Sequence, residues 1–489
     1  MFIYSFCIAN CVKSEKLILR KNGKMRKTKI VATLGPATND YKSLKSIIQA
    51  GANVIRINFS HGNKEDRQTS IDLIKKVRNE LKLPVAIMAD TRGPEVRVKT
   101  FEGGSGILRK GKLFTLYGYA KEGSDQGVAV TEPKCLGALK KGSTILANDG
   151  LIKLSVVENK GYEVICKVQA GGVLSNNKGL TLKDTPLNLP FISKKDKEDL
   201  IWAFENNCDM IAASFVNSAD DVRELKKLMH EHKYSCRIIS KIENGTGLKN
   251  IQEILDISDG IMVARGDLGV ELPASRLPKI QMDLINYANE KGKTVIVATE
   301  MLESMIGNPR PTRAETVDVA NAVYNGASAV MLSAETAVGS FPDKAVKTMA
   351  EICTQAEKDI PFKKNFFTTN FHTNDMTEVI SHSATNCSFK LDTKAIILYT
   401  HSGKTASVMN RFKPSAPIVA ITDNPQTYHY LSMEWNVMPI FSKLSNVDIF
   451  SLATTVAKGV KLAKTGDDII VTTGTTDTIS NVMKVCTIE

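Results

Sequence analysis

Eight short apolar runs, each followed by a helix-length segment, restrict the fold of this 489-residue chain more than any other feature. The first run begins at Lys29 and the last at Ala329. In the segments between them, such as SADDVRELKKLMHEHKY, apolar residues recur at helical spacing. Near-continuous apolar runs are typical of parallel strands buried on both faces. The alternation therefore predicts an α/β fold, a (β/α)8 TIM barrel with its functional groups at the strand ends. The runs are KIVATLGP, VIRINFSHG, VAIMADTRGPE, MIAASFV, RIISKIENG, GIMVARGDLG, TVIVATEM and AVMLSAET.

Two further units interrupt and follow this rhythm. The third run ends near Asp90 and the fourth begins only at Met210. The residues between them include short alternating strands, KLFTLYGYA and YEVICKVQA, which predict a small inserted β domain. After about Pro342, the stretches AIILYTHSGKTASVMNRF, PIVAITDN and DIIVTTGTT predict a separate open α/β domain. We expect a barrel domain of residues 25–94 and 190–345, an inserted β-barrel lid of residues 95–189, and a C-terminal α/β domain of residues 346–489.

The first 24 residues do not continue the pattern. The segment MFIYSFCIANCV is apolar but has no basic segment before it, so it fits a signal peptide poorly. The stretch MRKTKIVATLGP, from Met25, leads directly into the first strand and has the form of a natural start. We expect residues 1–24 to be a disordered extension or an over-long start.

Charge and cysteine usage exclude several classes of protein. The net charge is +12, but outside residues 1–24 it is spread without a basic run, whereas a nucleic-acid surface is clustered. No apolar run approaches the roughly 20 residues that a membrane span needs. The nine cysteines are an odd number without a CxxC pair, which disfavours both a disulfide framework and a zinc ribbon. We expect a cytoplasmic enzyme that handles anions and binds neither nucleic acid nor membrane.

Charged and polar side chains collect at the ends of the runs. Glu243 and Asp267 follow adjacent predicted strands, so they could share a hard cation such as Mg²⁺ with water and substrate oxygens. Lys241 and Arg56 offer positive charge to a phosphoryl group or an enolate. These residues alone predict a metal-assisted site for a small phosphorylated or carboxylated anion. The full set at the run ends is Arg56, Asn58, Ser60, Asp90, Thr91, Lys241, Glu243, Asp267 and Thr299.

Each feature also has a simpler explanation when it is taken alone. A Lys–Glu pair two residues apart is often a surface ion pair that contributes less than about 1 kcal/mol. Asp267 alone fits a helix cap, and NPRPTRAE fits a stiff loop in which Thr312 caps a helix. The stretch THSGKT is similar to a Walker A loop, but Leu398 occupies the position of its first glycine, which excludes a P-loop NTPase. The joint placement at strand ends favours a functional site.

Nine motifs, in order, resemble those of the pyruvate kinase family, from about Met25 to the C-terminus. The family has a barrel, a β domain inserted after the third strand, and a C-terminal α/β domain, as the run pattern predicts. The resemblance implies phosphoryl transfer from phosphoenolpyruvate to ADP, which gives pyruvate and ATP in the last step of glycolysis. It also implies Mg²⁺ (or Mn²⁺) and K⁺ as cofactors and a homotetramer. The motifs are KIVATLGP, RINFSHG, DTRGPE, NDGLI, SKIEN, MVARGDLGVE, ATEMLESM, NPRPTRAE and MLSAETAVG.

The resemblance further implies a role for each candidate residue. Lys241 would stabilise the phosphoryl group in flight and the enolate oxygen, and Arg56 and Arg97 would hold the phosphoryl group. Thr299 would orient the water that protonates the enolate. The other implied contacts are Glu243 and Asp267 with Mg²⁺; Ala264, Gly266, Asp267 and Thr299 with the substrate carboxylate; His61, Arg97 and Lys178 with the nucleotide; and Asn58, Ser60, Asp90 and the carbonyl of Thr91 with K⁺.

Three residues depart from the family pattern, and a fourth is the residue linked with K⁺ dependence in the family. Glu300 replaces a usual Gln and adds negative charge near an anion site. Arg92 replaces a usual Lys. Glu95 is the residue that accompanies K⁺ dependence in the family, whereas Val98 replaces the Thr of K⁺-dependent members. We expect activation by K⁺.

The C-terminal stretch THSGKTA matches a turn that often binds a sugar-phosphate effector in this family. Ser402, Lys404 and Thr405 are the candidate phosphate ligands for a phosphorylated-sugar or nucleotide effector. The nearby stretch TTGTTDTISNVMKV is about two residues shorter than in members with the full effector loop. An ordinary strand–helix turn explains THSGKTA equally well.

Three other functions are compatible with parts of the sequence. A metal-dependent C–C lyase of the phosphoenolpyruvate/pyruvate barrel group would use Mg²⁺ and an arginine, but it would need neither the lid with Lys178 nor the phosphoryl contact of Lys241. A binding module without turnover would implicate Glu300, although the retained catalytic set argues against it. A nucleic-acid-binding role has only the net charge in its favour.

Overall fold

The computed structural model describes residues 25–183, 185, 189–372, 375–443, 448–474 and 480–489. The predicted extension of residues 1–24 lies outside these ranges. Within them, no helix has the length and apolar character needed to cross a membrane.

Eight parallel strands form a closed barrel, and each predicted apolar run supplies one of them, which confirms the predicted fold class. All residues of the first strand are buried, because its inner face fills the barrel and its outer face packs on helices. Strands are numbered along the chain. The barrel strands are β1 (Lys29–Thr33), β2 (Val54–Asn58), β3 (Ala86–Asp90), β13 (Met210–Ala213), β14 (Arg237–Ile242), β15 (Gly260–Ala264), β16 (Thr294–Ala298) and β17 (Ala329–Leu332).

The helices around the barrel begin at well-formed caps. Thr312 caps the helix from Arg313 as predicted: its hydroxyl accepts from the N–H of Glu315, whose carboxylate accepts from the N–H of Thr312. Ser218 and Asp221 form the same reciprocal pair. The helices of this part are α1 (Tyr41–Ala50), α2 (Lys64–Leu81), α3 (Lys194–Glu205), α4 (Ala219–Glu231), α5 (Gly245–Lys249), α6 (Ile251–Ile257), α7 (Arg265–Glu271), α8 (Leu277–Glu290), α9 (Arg313–Tyr324), α10 (Ala334–Ala337) and α11 (Pro342–Asp359).

A largely antiparallel β unit follows β3 and precedes β13. Its main sheet has seven strands in the order β4-β12-β8-β9-β10-β6-β7, and β5 pairs with β11. The unit has its own apolar core, which includes Phe114 and Leu116. The strands are β4 (Val96–Arg97), β5 (Ser105–Leu108), β6 (Leu113–Tyr117), β7 (Gly127–Ala129), β8 (Thr144–Ala147), β9 (Ile152–Asn159), β10 (Glu163–Ala170), β11 (Gly172–Ser175) and β12 (Gly179–Leu182).

The C-terminal unit is an open five-stranded sheet in the order β20-β19-β18-β21-β22. Its strands are parallel except for the last, which pairs antiparallel with β21. The strands are β18 (Ile396–Tyr399), β19 (Ile418–Thr422), β20 (Val437–Phe441), β21 (Asp468–Thr473) and β22 (Val482–Thr487). The helices are α12 (Phe362–Thr368), α13 (Met376–Leu391), α14 (Lys404–Asn410), α15 (Pro425–Tyr430) and α16 (Ile449–Gly459).

The C-terminal unit closes the amino end of the barrel. One apolar cluster runs from Met88 and Met262, inside the barrel, to Leu398 and Met409 of the C-terminal sheet and helix. At the edge of this cluster the Lys29 ammonium donates to the carbonyl of Val437 at 2.7 Å. The carboxyl ends of the barrel strands therefore remain free for a site next to the inserted unit. The boundaries that we expect between the three domains stay a prediction.

Candidate active site

Lys241 lies near the carboxyl end of β14 and reaches three neighbouring groups. Its Nζ is 2.8 Å from Glu243 Oε1, 3.1 Å from Asp90 Oδ1 and 2.7 Å from the Ser214 hydroxyl. Lys241 is 9% exposed and Glu243 is 3% exposed. The pair is therefore not a surface ion pair, since buried ionic groups persist only with close partners. Burial disfavours the ammonium, but Asp90 and Glu243 outweigh it and raise the pKa of Lys241 above its ordinary value.

Asp90, the last residue of β3, joins Lys241 to the second cation of the site. Arg56 on β2 donates through Nε to Asp90 Oδ2 at 2.5 Å and through a terminal nitrogen to the Thr33 hydroxyl at 3.1 Å. Burial alone would raise the pKa of Asp90, but Arg56 and Lys241 hold it below the usual value. Asp90 thus fixes the positions of two positive groups, whereas the sequence had suggested only a K⁺ ligand.

Glu243 and Asp267 form a pair of carboxyl groups at the mouth of the barrel. Burial raises the pKa of Glu243; Lys241 opposes this rise, and Asp267 adds to it. Limited hydration also raises the pKa of Asp267, again against the effect of Lys241. Two carboxylates whose charges disfavour each other are a donor set that a hard divalent cation would stabilise. Among the described residues, no group of three or more His, Cys, Asp or Glu side chains is arranged to hold a metal ion.

Thr299 follows β16 in a strained backbone conformation. Its φ is 68° and that of Glu300 is 53°, which is unusual for any non-glycine residue and most unusual for a β-branched one. Arg265 holds this turn, because its guanidinium donates to the carbonyls of Thr299, at 2.5 and 3.1 Å, and Glu300, at 2.9 Å. The Thr299 hydroxyl accepts from the N–H of Gly266 at 2.8 Å. The strain thus places the hydroxyl at the start of α7, beside the last residue of β15, Ala264.

Glu300 contacts the site through its backbone. Its carbonyl accepts from Arg265, and its side chain is exposed. The replacement of the usual Gln therefore puts a carboxylate in solvent at this turn.

The inserted unit brings basic groups toward the barrel mouth. Arg97 on β4 pairs with Glu95 at 2.6 Å and donates to the carbonyl of Asn177 at 2.8 Å. Partial desolvation, and then the guanidinium groups of Arg97 and Arg56, lower the pKa of His61. His61 and Arg97 therefore share one positively charged region.

The turn at Asp149 connects the inserted unit with the carboxylate pair. Asp149 lies 3.8 Å from the ammonium of Lys178 and adds to the rise in the pKa of Asp267. A Cβ on Gly150 would lie 3.7 Å from a methyl carbon of Val270 on α7, so the turn sits against the barrel. Lys178 is consequently placed at the same edge of the site as the carboxylates.

The four residues expected at K⁺ lie together at the ends of β2 and β3. Asn58 is the register partner of Asp90, and its side-chain oxygen accepts from the N–H of Ser60 at 3.0 Å. The carbonyl of Thr91 accepts from the Ser214 hydroxyl at 2.7 Å. The oxygens that would bind K⁺ are thus next to the group that holds Arg56 and Lys241.

The three candidate effector ligands lie at the other end of the barrel. The carbonyl of Ser402 accepts from Arg237 at 3.0 Å and from the Tyr430 hydroxyl at 2.5 Å. The Thr405 hydroxyl is buried and lies 2.7 Å from that of Ser480, whereas Lys404 is exposed at the start of α14. The structure does not bring these residues to Lys241.

Three residues that contact the site were not identified as candidates from the sequence. Ser214 follows the fourth apolar run, so its position at a strand end was the available signal. Arg265 lies inside the quoted motif MVARGDLGVE, and Asp149 inside NDGLI. Their partners are distant in the chain, so their contacts could not be inferred from spacing.

Comparison with known proteins identifies relatives over most of the chain. Residues 25–346 match the family model described as "Pyruvate kinase, barrel domain", and residues 378–486 match "Pyruvate kinase, alpha/beta domain". The chain is 42% identical over 470 residues to the pyruvate kinases of Staphylococcus aureus strains MRSA252 and USA300, covering 94% of the chain and 80% of each relative. The crystal structure of a pyruvate kinase from Cryptosporidium parvum matches with a TM-score of 0.89 and 34% identity, covering 98% of this chain and 97% of that one.

Proposed function

Because the chain belongs to the pyruvate kinase family, a phosphotransferase that converts phosphoenolpyruvate and ADP into pyruvate and ATP in glycolysis, we propose that the groups around Lys241 perform this transfer. The observation that carries the proposal is the contact of one buried ammonium with Asp90 and Glu243, beside the Arg56 guanidinium. Phosphoryl transfer depends mainly on positioning and charge neutralisation, and this arrangement provides both.

The carboxylates of Glu243 and Asp267 are the proposed ligands of Mg²⁺ or Mn²⁺. Their raised pKa values and their mutual repulsion fit a site that a divalent cation completes. When bound, the cation supplies Lewis-acid stabilisation of substrate oxygens. The family relationship supports a divalent metal requirement in general.

Lys241 and Arg56 are the proposed electrostatic catalysts. In the transfer, an oxygen of the ADP β-phosphate bonds to phosphorus while the bond from phosphorus to the enol oxygen breaks. Negative charge then develops on the transferring group and on the enolate oxygen, and the two cations face this charge in a partly dehydrated site. Because Asp90 holds both cations before substrate arrives, little reorganisation is needed during the reaction. Arg97 would contact the same group from the inserted unit.

Thr299 is the proposed positioning group for the second step, in which the enolate carbon gains a proton to give pyruvate. Its hydroxyl lies at the start of α7, next to the backbone of Ala264 and Gly266, which we propose as the seat of the substrate carboxylate together with Asp267. A water held by this hydroxyl would deliver the proton to the enolate carbon.

The inserted unit is the proposed lid over the nucleotide. His61, Arg97 and Lys178 lie on its side of the barrel mouth and would bind the ADP phosphates. Closure of such a unit excludes water, so the phosphoryl group reaches ADP rather than being hydrolysed.

Asn58, Ser60, Asp90 and Thr91 are the proposed K⁺ ligands. All four offer oxygen atoms, the donor type that hard cations prefer. Substitution of Na⁺ for K⁺ in the assay, with ionic strength held constant, tests this part: we expect lower turnover, and equal rates in both salts would contradict it.

Three further properties rest on the family relationship alone. We propose a cytoplasmic homotetramer, and a phosphate subsite at Ser402, Lys404 and Thr405 for a phosphorylated effector. The contact between Thr405 and Ser480 means that an effector would have to displace an existing hydrogen bond. Saturation curves for phosphoenolpyruvate with and without a sugar bisphosphate test the subsite, and an unchanged curve would contradict it.

The proposed site is tested by pyruvate formation from phosphoenolpyruvate in a protein that starts at Met25. We expect turnover that requires both ADP and Mg²⁺, and near-complete loss in Lys241→Met. The matched control is Lys279→Met, because Lys279 is an exposed lysine of the same barrel that pairs with Asp283 at the surface. Pyruvate formation without ADP would mean that water, and not ADP, accepts the phosphoryl group, and a folded, metal-bound but inactive protein would favour the lyase or the binding module.

A further inference from the structure

A cavity lies between the barrel and the C-terminal unit, away from the proposed active site. Its volume is about 610 Å³, within the range of roughly 300 to 1,000 Å³ that is typical of small-molecule sites. It is bounded by the ends of α8 and α9, by α12, and by the C-terminal segment Arg411–Lys413 with Trp435. None of the residues proposed for phosphoryl transfer lines it.

Aromatic rings form much of the apolar wall of this cavity. The rings of Phe362 and Trp435 have centroids 5.6 Å apart, and those of Phe371 and Phe412 are 5.1 Å apart at 73°. Phe366 also lines the cavity and packs on Phe371. Such walls favour a planar ring, which can stack or meet them edge to face.

Lys413 supplies a positive charge to this wall without forming a direct ion pair among the described residues. Its Nζ lies 4.7 Å from the ring centroid of Trp435, and its hydrogen bond to the carbonyl of Gly326 is long, at 3.4 Å. Among the ion pairs of the described residues, the segment Arg411–Lys413 takes part in that of Arg411 with Glu378. Burial lowers the pKa of Lys413 to about 8, against the effect of Glu434.

The other charged groups of the wall leave this imbalance in place. Arg411 already pairs with Glu378 at 2.8 Å and donates to the carbonyl of His372 at 3.2 Å. Glu290 is the one acidic side chain among the lining residues that the structure describes. An anion bound in the cavity would therefore give Lys413 a direct ion-pair partner in addition to the longer-range effect of Glu434.

We propose that this cavity binds a planar aromatic anion, such as an aromatic carboxylate, with its ring among Phe362, Phe371 and Trp435 and its anionic group on Lys413. The aromatic wall selects the ring, and the ammonium selects the charge. The proposal does not depend on the roles given to Lys241, Glu243 or Asp267, so it can fail or succeed independently of them.

The two tryptophans of the chain allow a direct test by fluorine NMR. Trp435 lines the cavity, whereas Trp202 packs on Phe59 in the barrel. In the full chain labelled with 5-fluorotryptophan, and assigned with Trp202→Phe, we expect 2-naphthoate to shift the Trp435 resonance saturably and to leave that of Trp202 unchanged. The neutral 2-naphthamide is the control probe. Naphthoate should bind about tenfold more tightly, as expected for one charge-assisted hydrogen bond.

Two lysine variants distinguish the effect of the Lys413 charge on binding from the effect of removing any lysine that lies close to an aromatic ring. Lys413→Met should reduce the affinity for naphthoate to about that for naphthamide. Lys484→Met is the matched control, because Lys484 also lies 4.7 Å from a ring centroid, that of Phe450, outside the cavity. An unshifted Trp202 resonance shows that each variant is folded.

Three results would overturn the proposal. The first is no shift of the Trp435 resonance with either probe, which would also be the outcome if a second copy of the chain covered the cavity. The second is equal affinity of the unsubstituted protein for the two probes, which would mean an apolar cavity without charge selection. The third is unchanged naphthoate binding in folded Lys413→Met.

Discussion

Arg237 and Lys241 lie on the same face of one strand, four residues apart, and contact opposite ends of the molecule. Lys241 reaches Asp90 and Glu243 at the carboxyl end of the barrel. Arg237 reaches the Tyr430 hydroxyl at 2.5 Å and the carbonyl of Ser402 at 3.0 Å, both in the C-terminal unit. Strand β14 is therefore a direct connection of about 13 Å between the proposed catalytic lysine and that unit.

Replacement of Arg237 by leucine should loosen the C-terminal unit without removing a catalytic group. The substitution leaves the carbonyl of Ser402 and the carboxylate of Asp259 without their guanidinium partner. We expect a loss of about 1 to 3 kcal/mol in the free energy of unfolding, measured by urea denaturation. Arg223→Leu, at an exposed ion pair with Asp220, is the control and should change stability by less than about 1 kcal/mol. Equal effects of the two substitutions would contradict the connection.

Replacement of Lys241 by methionine should separate catalysis from metal binding. We expect kcat to fall by at least about 10²- to 10³-fold, because the developing negative charge loses its closest cation. Binding of Mn²⁺, followed by the EPR signal of the free ion, should stay equal or become tighter, since Glu243 loses a competing positive charge. Parallel loss of Mn²⁺ binding would instead mean that Lys241 holds the carboxylates in place.

The variants Glu243→Gln and Asp267→Asn should each weaken Mn²⁺ binding by at least about tenfold. Each removes one of the two proposed charged ligands, and a hard cation binds neutral amide oxygens less strongly than carboxylates. Asp220→Asn, an exposed carboxylate on α4, is the control. Unchanged Mn²⁺ affinity in either site variant would place the cation elsewhere.

Replacement of Glu300 by glutamine, the residue usual in the family, should have little effect. The backbone carbonyl of Glu300 makes the contact with Arg265, and the exposed carboxylate is screened by solvent and salt. We expect KM for phosphoenolpyruvate to change by less than about threefold. A larger fall in KM would show that this carboxylate repels the substrate.

His429 should make the fold sensitive to mild acid. Burial, and then Arg78, lower the pKa of His429 to about 3, below the value near 6.5 in an unfolded chain. Between these values the unfolded chain binds one more proton than the folded one, so stability falls with decreasing pH by up to about 1.4 kcal/mol per unit. In His429→Asn, urea denaturation from pH 7 to pH 5 should show a correspondingly weaker pH dependence. An identical pH dependence of stability in both proteins would contradict the lowered pKa of His429.

The barrel could be predicted because each of its strands is buried on both faces and therefore appears as an apolar run. Two strands of the C-terminal unit were not anticipated. Strand β20 contains Pro439, which usually argues against a strand, but it lies at the sheet edge, where a missing N–H is tolerated. Strand β22 is partly exposed along its length and lacks a clear alternation of apolar residues.

The sequence allowed us to predict where the candidate residues lie, but not which contacts they make. Side chains at strand ends converge at one edge of a barrel, which sufficed for Lys241, Glu243 and Arg56. The strained backbone at Thr299 depends on Arg265, which precedes it by 34 residues in the chain. Contacts of this kind are set by tertiary packing, so no local pattern could reveal them.

The apolar cluster shared by the barrel and the C-terminal unit also bears on how the chain is made. A ribosome completes the last barrel strand at Leu332, about 100 residues before it reaches Val437. At a translation rate of about 5 to 20 residues per second, the segment that covers the methionines at the base of the barrel is completed roughly 5 to 20 s after the last barrel strand. During this interval the nascent barrel exposes an apolar surface, and a chaperone that binds there would act before release from the ribosome. Translation speed beyond residue 332 should therefore influence the yield of folded protein.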